Sequence, residues 1–523
     1  MSPRVWRRAR QVVQILALLL FLYLFFGTRQ NGWTVLPHDL FFRLDPLTSV
    51  AAMLAGQRWI AAMALAGVTL LLTLLLGRVW CGWLCPMGTL LDWTRLNVGA
   101  KHPPREVQPE SLSRGRMIRP YRWRQVKHFL LFAILFAALF GNLTLLVLDP
   151  ITLLFRTAAS AGLPALDVLV TAAETALYNI RPLQGPLEAF ERVVRGTFLP
   201  ASQPFFTQNI LLALVFVGVL ALNAIRPRFW CRYLCPLGAM LGLVSKVSFL
   251  RHKVDEQACT ACGRCARVCP TGTIDPERNY AADPAECTMC LDCAETCPAK
   301  AVAFKPRLGL AEWRDYDPSR RQALASLGAA VAGIGLLRAA PAAKREDRWL
   351  IRPPGARENG LLDKCIRCGE CMKGCPTSGL QPSVFSAGLE GFWTPVLVPR
   401  LGYCDYSCNT CGQVCPTGAI PKLSLDDKRQ AVIGAAYIDE NRCIPWADCA
   451  DCIVCEEMCP VPDKAIKLDV QTVMNPSGET VTVRRPRVIR EKCIGCGICE
   501  YQCPLNGEAA IRVYAPNDFG GQF

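Results

Sequence analysis

The sequence predicts two architectures in one chain: an all-α membrane domain of four helices, built as a duplicated two-helix unit, and a series of small α+β modules. Three observations predict this. Four apolar runs near the length that crosses a bilayer fall within the first 250 residues. One Trp-Cys pattern occurs twice among those runs. Six cysteine runs, each ending in Cys-Pro, occupy the rest. The chain has 523 residues, enough for several domains, with 29 cysteines and 4 histidines. The expected boundaries are a membrane domain over 1–250, a two-cluster module over 251–306, a linker over 307–350 and a four-cluster module over 351–523.

The apolar runs are Val12–Phe26, Trp59–Gly77, Phe129–Leu148 and Ile210–Ile225. Arg4, Arg7, Arg8 and Arg10 precede the first and place the N-terminus inside the cell. Between Arg78 and Lys127 there are ten Lys/Arg against three acidic residues, so this loop is also inside. Between Asp149 and Asn209 four basic residues face five acidic ones, so this segment is outside. The net charge of +15 first suggests nucleic acid, but the arginines flank apolar runs. Membrane orientation explains them, and no nucleic-acid partner is expected. The expected location is the inner (cytoplasmic) membrane, crossed several times, with residues 251–306 on the cytoplasmic side.

Leu44-Asp45-Pro46-Leu47-Thr48 recurs as Leu148-Asp149-Pro150-Ile151-Thr152. Each copy is followed one run later by Trp-Cys-x2-Leu-Cys-Pro-x-Gly, at Trp80–Gly88 and Trp230–Gly238. The two units are parallel, so Cys81, Cys85, Cys231 and Cys235 reach one depth. Four thiolates there can converge on a further iron–sulfur cluster. Structural or redox-active thiols are the alternatives.

The run Cys259, Cys262, Cys265, Cys269-Pro270 and its copy Cys287, Cys290, Cys293, Cys297-Pro298 read C-x2-C-x2-C-x3-C-P. This spacing wraps a [4Fe–4S] cube with three thiolates, while the fourth ligates the other cluster of the pair. Cluster 1 is expected on Cys259, Cys262, Cys265 and Cys297, and cluster 2 on Cys287, Cys290, Cys293 and Cys269. Zinc sites favour two Cys or His pairs instead. The modules therefore read as α+β, bacterial-ferredoxin-like [4Fe–4S] units.

Ser319-Arg320-Arg321 before the weakly apolar run Ala323–Leu337 reads as an internal twin-arginine export signal, or as a fifth span. It places the last module outside, although Arg338, Lys344, Arg345 and Arg348 oppose this. That module carries Cys365, Cys368, Cys371 and Cys375, then Cys404, Cys408, Cys411 and Cys415, and finally Cys493, Cys496, Cys499 and Cys503. The remaining run has five candidates, Cys443, Cys449, Cys452, Cys455 and Cys459, and regular spacing would choose Cys449.

The doubled Trp-Cys motif followed by two cluster motifs resembles the NapH-type membrane polyferredoxins over about Met1–Pro306. Relatives of NosR and CcoG type share these motifs. The last module resembles NapG-type ferredoxins over about Ser319–Val513. The resemblance implies a quinol dehydrogenase: quinol oxidised in the membrane half, six [4Fe–4S] clusters, the membrane quinone pool and lipid bilayer as surroundings, and a redox partner that is a terminal reductase or cytochrome. It also implies pairing of the first motif with the last and the second with the third. Cluster 3 would then use Cys365, Cys368, Cys371 and Cys503, and cluster 4 Cys493, Cys496, Cys499 and Cys375. Cluster 5 would use Cys404, Cys408, Cys411 and Cys459. Cluster 6 would use Cys443, Cys452, Cys455 and Cys415, with Cys449 as the alternative to Cys443. The competing readings are a maturation or regulatory factor for a metalloenzyme, and reduction of quinone by a cytoplasmic donor. Quinol oxidation releases protons, for which Asp45, Asp149 and His38 are the candidate acceptors. Acidic residues before proline are otherwise ordinary turn formers.

Overall fold

A computed structural model describes residues 3–29, 34–98, 120–200, 203–306, 350–474 and 477–515, with eight residues between 324 and 335. The twin-arginine sequence Ser319–Gln322 lies outside the described residues.

The first half is helical: α1 Pro3–Gly27, α2 Pro46–Gly56, α3 Ala66–Leu76, α4 Pro86–Val98, α5 Pro120–Leu139, α6 Pro150–Thr157, α7 Leu163–Tyr178, α8 Gln184–Thr197, α9 Asn209–Ala221 and α10 Pro236–Ser245. The duplication is visible in local geometry. Asp45 and Asp149 are N-caps, each with proline at the first helical position, so α2 and α6 start identically. Each Trp-Cys motif then forms one π-turn, Trp80–Leu84 and Trp230–Leu234, before a helix that begins at the Cys-Pro proline. Cys85 N–H reaches Trp80 O and Cys235 N–H reaches Trp230 O, both at 2.9 Å. The unequal spacing of the two copies comes from α7 and α8, which are inserted into the second.

The helical half is more divided than four helices. Among the described residues, two helical runs are long and apolar enough to cross a membrane, Arg4–Gly27 and Pro150–Tyr178. The second begins where charge counting placed an outer segment. The run Phe129–Leu148 breaks after α5, where Gly141 takes a left-handed φ of 74°, and a new helix starts at Pro150.

Two cysteine-rich units sit at opposite ends of this half. Helix α1 has 25 residues and is about 37 Å long at 1.5 Å per residue. Near its start Arg7 and Arg10 pair with Glu295 and Asp292 at 3.1 and 3.2 Å. Just past its end Thr28 O accepts from Lys373 Nζ at 3.0 Å. Helix α5 repeats the arrangement. Lys127 near its start bonds Glu286 at 2.6 and 2.7 Å, and past its end Thr144 Oγ1 accepts from Arg367 at 3.2 Å.

The unit at the first end closes with an antiparallel pair, β1 Leu250–Val254 on β2 Val302–Pro306. The unit at the other end contains β3 Leu380–Pro382 on β4 Pro395–Leu397, β5 Ala435–Ile438 on β8 Ile511–Tyr514, and a long hairpin, β6 Ile466–Met474 on β7 Thr480–Val488. Both cores are cysteine-lined, and the first is built around a small buried cluster of Cys265, Ile274, Cys293 and Val302.

Candidate iron–sulfur sites

The four regular cysteine loops share one backbone. The second and fourth residues after the first cysteine are left-handed: Ala261 and Gly263, Met289 and Leu291, Arg367 and Gly369, Gly495 and Gly497. Such reversals turn the chain around a centre, and a short helix then carries the third cysteine.

At the first end Cys259, Cys262, Cys265 and Cys297 line one cavity. Cys269 lies within electrostatic reach of Cys287, Cys290 and Cys293. These are the two sets that exchange of the fourth cysteine implies.

At the other end the fold joins different motifs from those expected. Cys365, Cys368 and Cys371 meet Cys415, not Cys503. Cys404, Cys408 and Cys411 share a cavity with Cys375, not Cys459. Cys443, Cys452 and Cys455 line a cavity with Cys503, not Cys415. Cys493, Cys496 and Cys499 line one with Cys459, not Cys375. Motifs adjacent in sequence therefore pair. The cause is helix packing: Gly374 lies so close to Thr410 that a Cβ would sit 3.1 Å from its methyl, which sets the first two motif helices side by side. The helices Val454–Glu457 and Ile498–Gln502 pack likewise, held by β5 on β8. Cys443 lines its cavity, whereas Cys449 points away and contacts Met474 O at 3.8 Å.

The donor sets fit iron–sulfur clusters. Burial, reinforced by neighbouring thiols, pushes Cys404 up to about 11 and Cys455 up to about 12, so packed thiolates need positive charge at their centre. Among the described residues no three His, Cys, Asp or Glu side chains crowd closely enough for a single metal ion.

The helical half gathers a further quartet. Cys81, Cys85, Cys231 and Cys235 are all buried and within electrostatic reach of one another. Donors surround them. Gly238 N–H donates to Cys235 Sγ at 3.2 Å, and Arg78 Nη2 lies 3.8 Å from Cys81 Sγ. The indole N–H groups of Trp80 and Trp230, buried and related by the repeat, have no acceptor. Four thiols with the Gly238 N–H and the Arg78 guanidinium beside them fit a cluster, whose sulfurs accept such bonds. The motif glycines are required here, since a Cβ on Gly88 would meet Cys81 O at 2.7 Å and one on Gly238 would meet Arg78 Nη2 at 2.8 Å.

Sequence reasoning missed two arginines. Arg78 and Arg228 each stand three residues before the first cysteine of a motif, and both are fully buried. Arg228 forms a bidentate pair with Asp92 at 2.7 and 2.6 Å. Arg78 bonds Ala285 O at 2.7 Å and Glu286 at 3.4 Å. The signal was available: Arg-x-Trp-Cys is common to both copies.

These sets form an ordered series. Cys265 neighbours Cys293, and the Cys287 loop presses on the quartet, where a Cβ on Gly82 would come 2.0 Å from Thr288 O. At the other end the Cys365 loop faces the helices through Arg367 and Glu370. Cys371 then neighbours Cys411, Cys404 neighbours Cys496, and Cys499 neighbours Cys455.

Asp45 and Asp149 meet each other inside the helical half, whereas His38 lies apart from them. Its Nδ1 is 3.5 Å from Glu370 Oε2, beside Cys371.

Residues 58–104 and 208–255 match a family model described as a 4Fe-4S binding domain, and each stretch contains one Trp-Cys motif. A second model of the same description matches 252–275 and 486–506. The methylamine utilization ferredoxin-type protein MauM of Methylorubrum extorquens is 35% identical over 213 residues, 39% of this chain and 91% of that protein. The ferredoxin-type protein NapG of Escherichia coli K12 is 34% identical over 171 residues, 31% of this chain and 69% of that protein. The putative electron transport protein YccM of the same organism is 27% identical over 216 residues, 40% of this chain and 46% of that protein. No solved structure matches.

Fold, cysteine sets and matches define an iron–sulfur, ferredoxin-type electron-transfer protein. The chain belongs to the family of ferredoxin-type proteins that includes MauM and NapG.

Proposed function

We propose that this chain is a membrane-bound quinol dehydrogenase fused to its own polycluster electron carrier. The observation that carries the reading is the series of cysteine sets, which occupies both ends of one helical half with the Cys81/Cys85/Cys231/Cys235 quartet between them. A soluble carrier needs no apolar body separating two groups of redox sites. The helical half crosses the inner membrane, with the N-terminus and residues 251–306 on the cytoplasmic side. Arg7 and Arg10, the charges that orient α1, bind that unit directly. Residues 351–515, at the opposite end, then lie outside.

Six [4Fe–4S] clusters are held by the six ferredoxin-type sets as the fold gathers them, and a seventh by the quartet. When bound they supply one-electron transfer. The chain's own residues set spacing and surroundings. Arg78 and Arg228 balance thiolate charge, and the π-turns aim the quartet inward. Fusion holds donor and acceptor sites at high effective concentration without a docking step. A redox partner outside, a terminal reductase or cytochrome, takes the electrons.

The test is anaerobic addition of a water-soluble quinol analogue to purified protein in lipid vesicles, followed by electron paramagnetic resonance. The reading expects reduced-cluster signals. Their absence, with dithionite still able to reduce the clusters, refutes quinol oxidation and leaves reduction of quinone or a maturation role.

A further inference from the structure

The repeated Leu-Asp-Pro motifs do more than start helices. Both aspartates are wholly buried at 0% exposure. Each uses one carboxyl oxygen as a cap. Asp45 Oδ1 accepts from Leu47 and Thr48 N–H at 2.8 and 3.2 Å, and Asp149 Oδ2 accepts from Ile151 and Thr152 N–H at 3.0 and 2.9 Å. Capping is complete with those bonds. The remaining oxygens, Asp45 Oδ2 and Asp149 Oδ1, have no N–H or O–H donor from any other residue. The two carboxyl groups are instead within hydrogen-bonding distance of each other, across the interface between the repeats.

Two carboxylates have no hydrogen to place between them, and two like charges in contact inside a protein do not both stay ionised. We infer that Asp45 and Asp149 share one proton and form the proton-accepting site of the helical half. The ionised member is stabilised by the N-termini of α2 and α6, whose dipoles favour negative charge. The charged and titratable groups that face the pair are Arg156, from the same helix as Asp149, and the Cys85 thiol at the start of α4. Arg156 is itself buried and leads outward to Trp393, over whose ring it lies at 5.5 Å.

Resting on the quinol reading above, the pair accepts one more proton. The proton that a quinol hydroxyl releases is taken up by the ionised carboxylate, leaving quinolate and two neutral carboxyl groups.

The sharing itself is tested without quinol. Infrared spectra of the oxidised, purified full chain, unlabelled and with 13C-aspartate, are compared in H2O and D2O. A protonated-aspartate C=O band is expected, sensitive to both substitutions. Asp45→Asn and Asp149→Asn each keep a capping oxygen and give the surviving carboxylate an N–H donor, so the band is lost in both. Iron content checks that the variants fold, and the wild-type spectrum needs no variant. Absence of the band in wild type, or its survival in either variant, overturns the inference. Failure of quinol to reduce the clusters, with the band present and lost as expected, removes only the quinol reading.

Discussion

Replacing Glu286 by glutamine should loosen the unit at residues 251–306 from the helical half. Glu286 is 3% exposed and sits between Lys127 at 0% and Arg78 at 1%. It accepts from Lys127 Nζ at 2.6 and 2.7 Å and from Arg78 Nη1 at 3.4 Å. Glutamine keeps the shape but leaves Lys127 enclosed without a counter-charge and takes one from Arg78, which keeps Cys81 beside it. Breaking a buried ion pair from one side costs about 3–5 kcal/mol, and Lys127→Met should cost a similar amount by stranding the carboxylate. The double variant Glu286→Gln/Lys127→Met removes both charges, so it should fall short of the sum by more than about 2 kcal/mol. The assay is urea titration of the full chain in detergent, read by protease cleavage within 251–306. Iron content serves as the control for cluster loss, because Cys287 is adjacent. Single-variant losses below about 1 kcal/mol, or additive ones, would refute the view that this junction is held by a desolvated charge cluster.

Three further outcomes are expected. Cys415→Ala should alter the same cluster signal as Cys365→Ala, and Cys503→Ala the same one as Cys443→Ala; the reverse assignment would contradict the pairing of adjacent motifs. Cys449→Ser should leave iron content unchanged while Cys443→Ser removes one cluster, as measured by iron and acid-labile sulfide. His252 packs edge-on against Phe304 with both ring nitrogens lacking partners, and burial pushes it down from 6.5 to about 4. The unfolded chain therefore takes the proton first. Stability is full above about pH 6.5 and lost as pH falls toward 4, by about 3 kcal/mol, and His252→Leu should flatten that limb of a denaturation–pH profile.

The cysteine chemistry was largely legible in the sequence because C-x2-C-x2-C-x3-C-P is a local constraint. Three thiols and a turn lie within a dozen residues, so Cys259, Cys262 and Cys265 could be grouped directly. The fourth member was legible only where two motifs stand alone, as with Cys297 and Cys269. Among four motifs the partner depends on which short helices pack together. Gly374 against Thr410 is a tertiary contact that spacing does not encode. The Leu-Asp-Pro and Trp-Cys repeats were visible, but not that they bring Asp45 to Asp149. Charge counting placed Asp149–Asn209 outside but did not show that the segment begins with an apolar helical run, Pro150–Tyr178, that carries Arg156, Asp167 and Glu174. Arg78 was counted only as a topological charge, and Arg228 was not singled out. Long side chains beside an apolar run look alike whether they face headgroups or turn inward to a thiolate.

The placement of the two cysteine-rich units bears on how the pair at residues 251–306 relates to the larger unit in the proposed relay. The Cys287 loop abuts the quartet, and the Cys365 loop faces the same helical half from the other end. Within that proposal the first pair is a terminus of one series that passes through the helices.

The most direct test of this account is the iron and sulfide content of anaerobically purified protein, with Mössbauer spectra, in the wild type and in Cys81→Ser/Cys231→Ser. The account predicts seven [4Fe–4S] clusters in the wild type and six in the variant, with the ferredoxin-type signals retained. Equal iron in both proteins would contradict it.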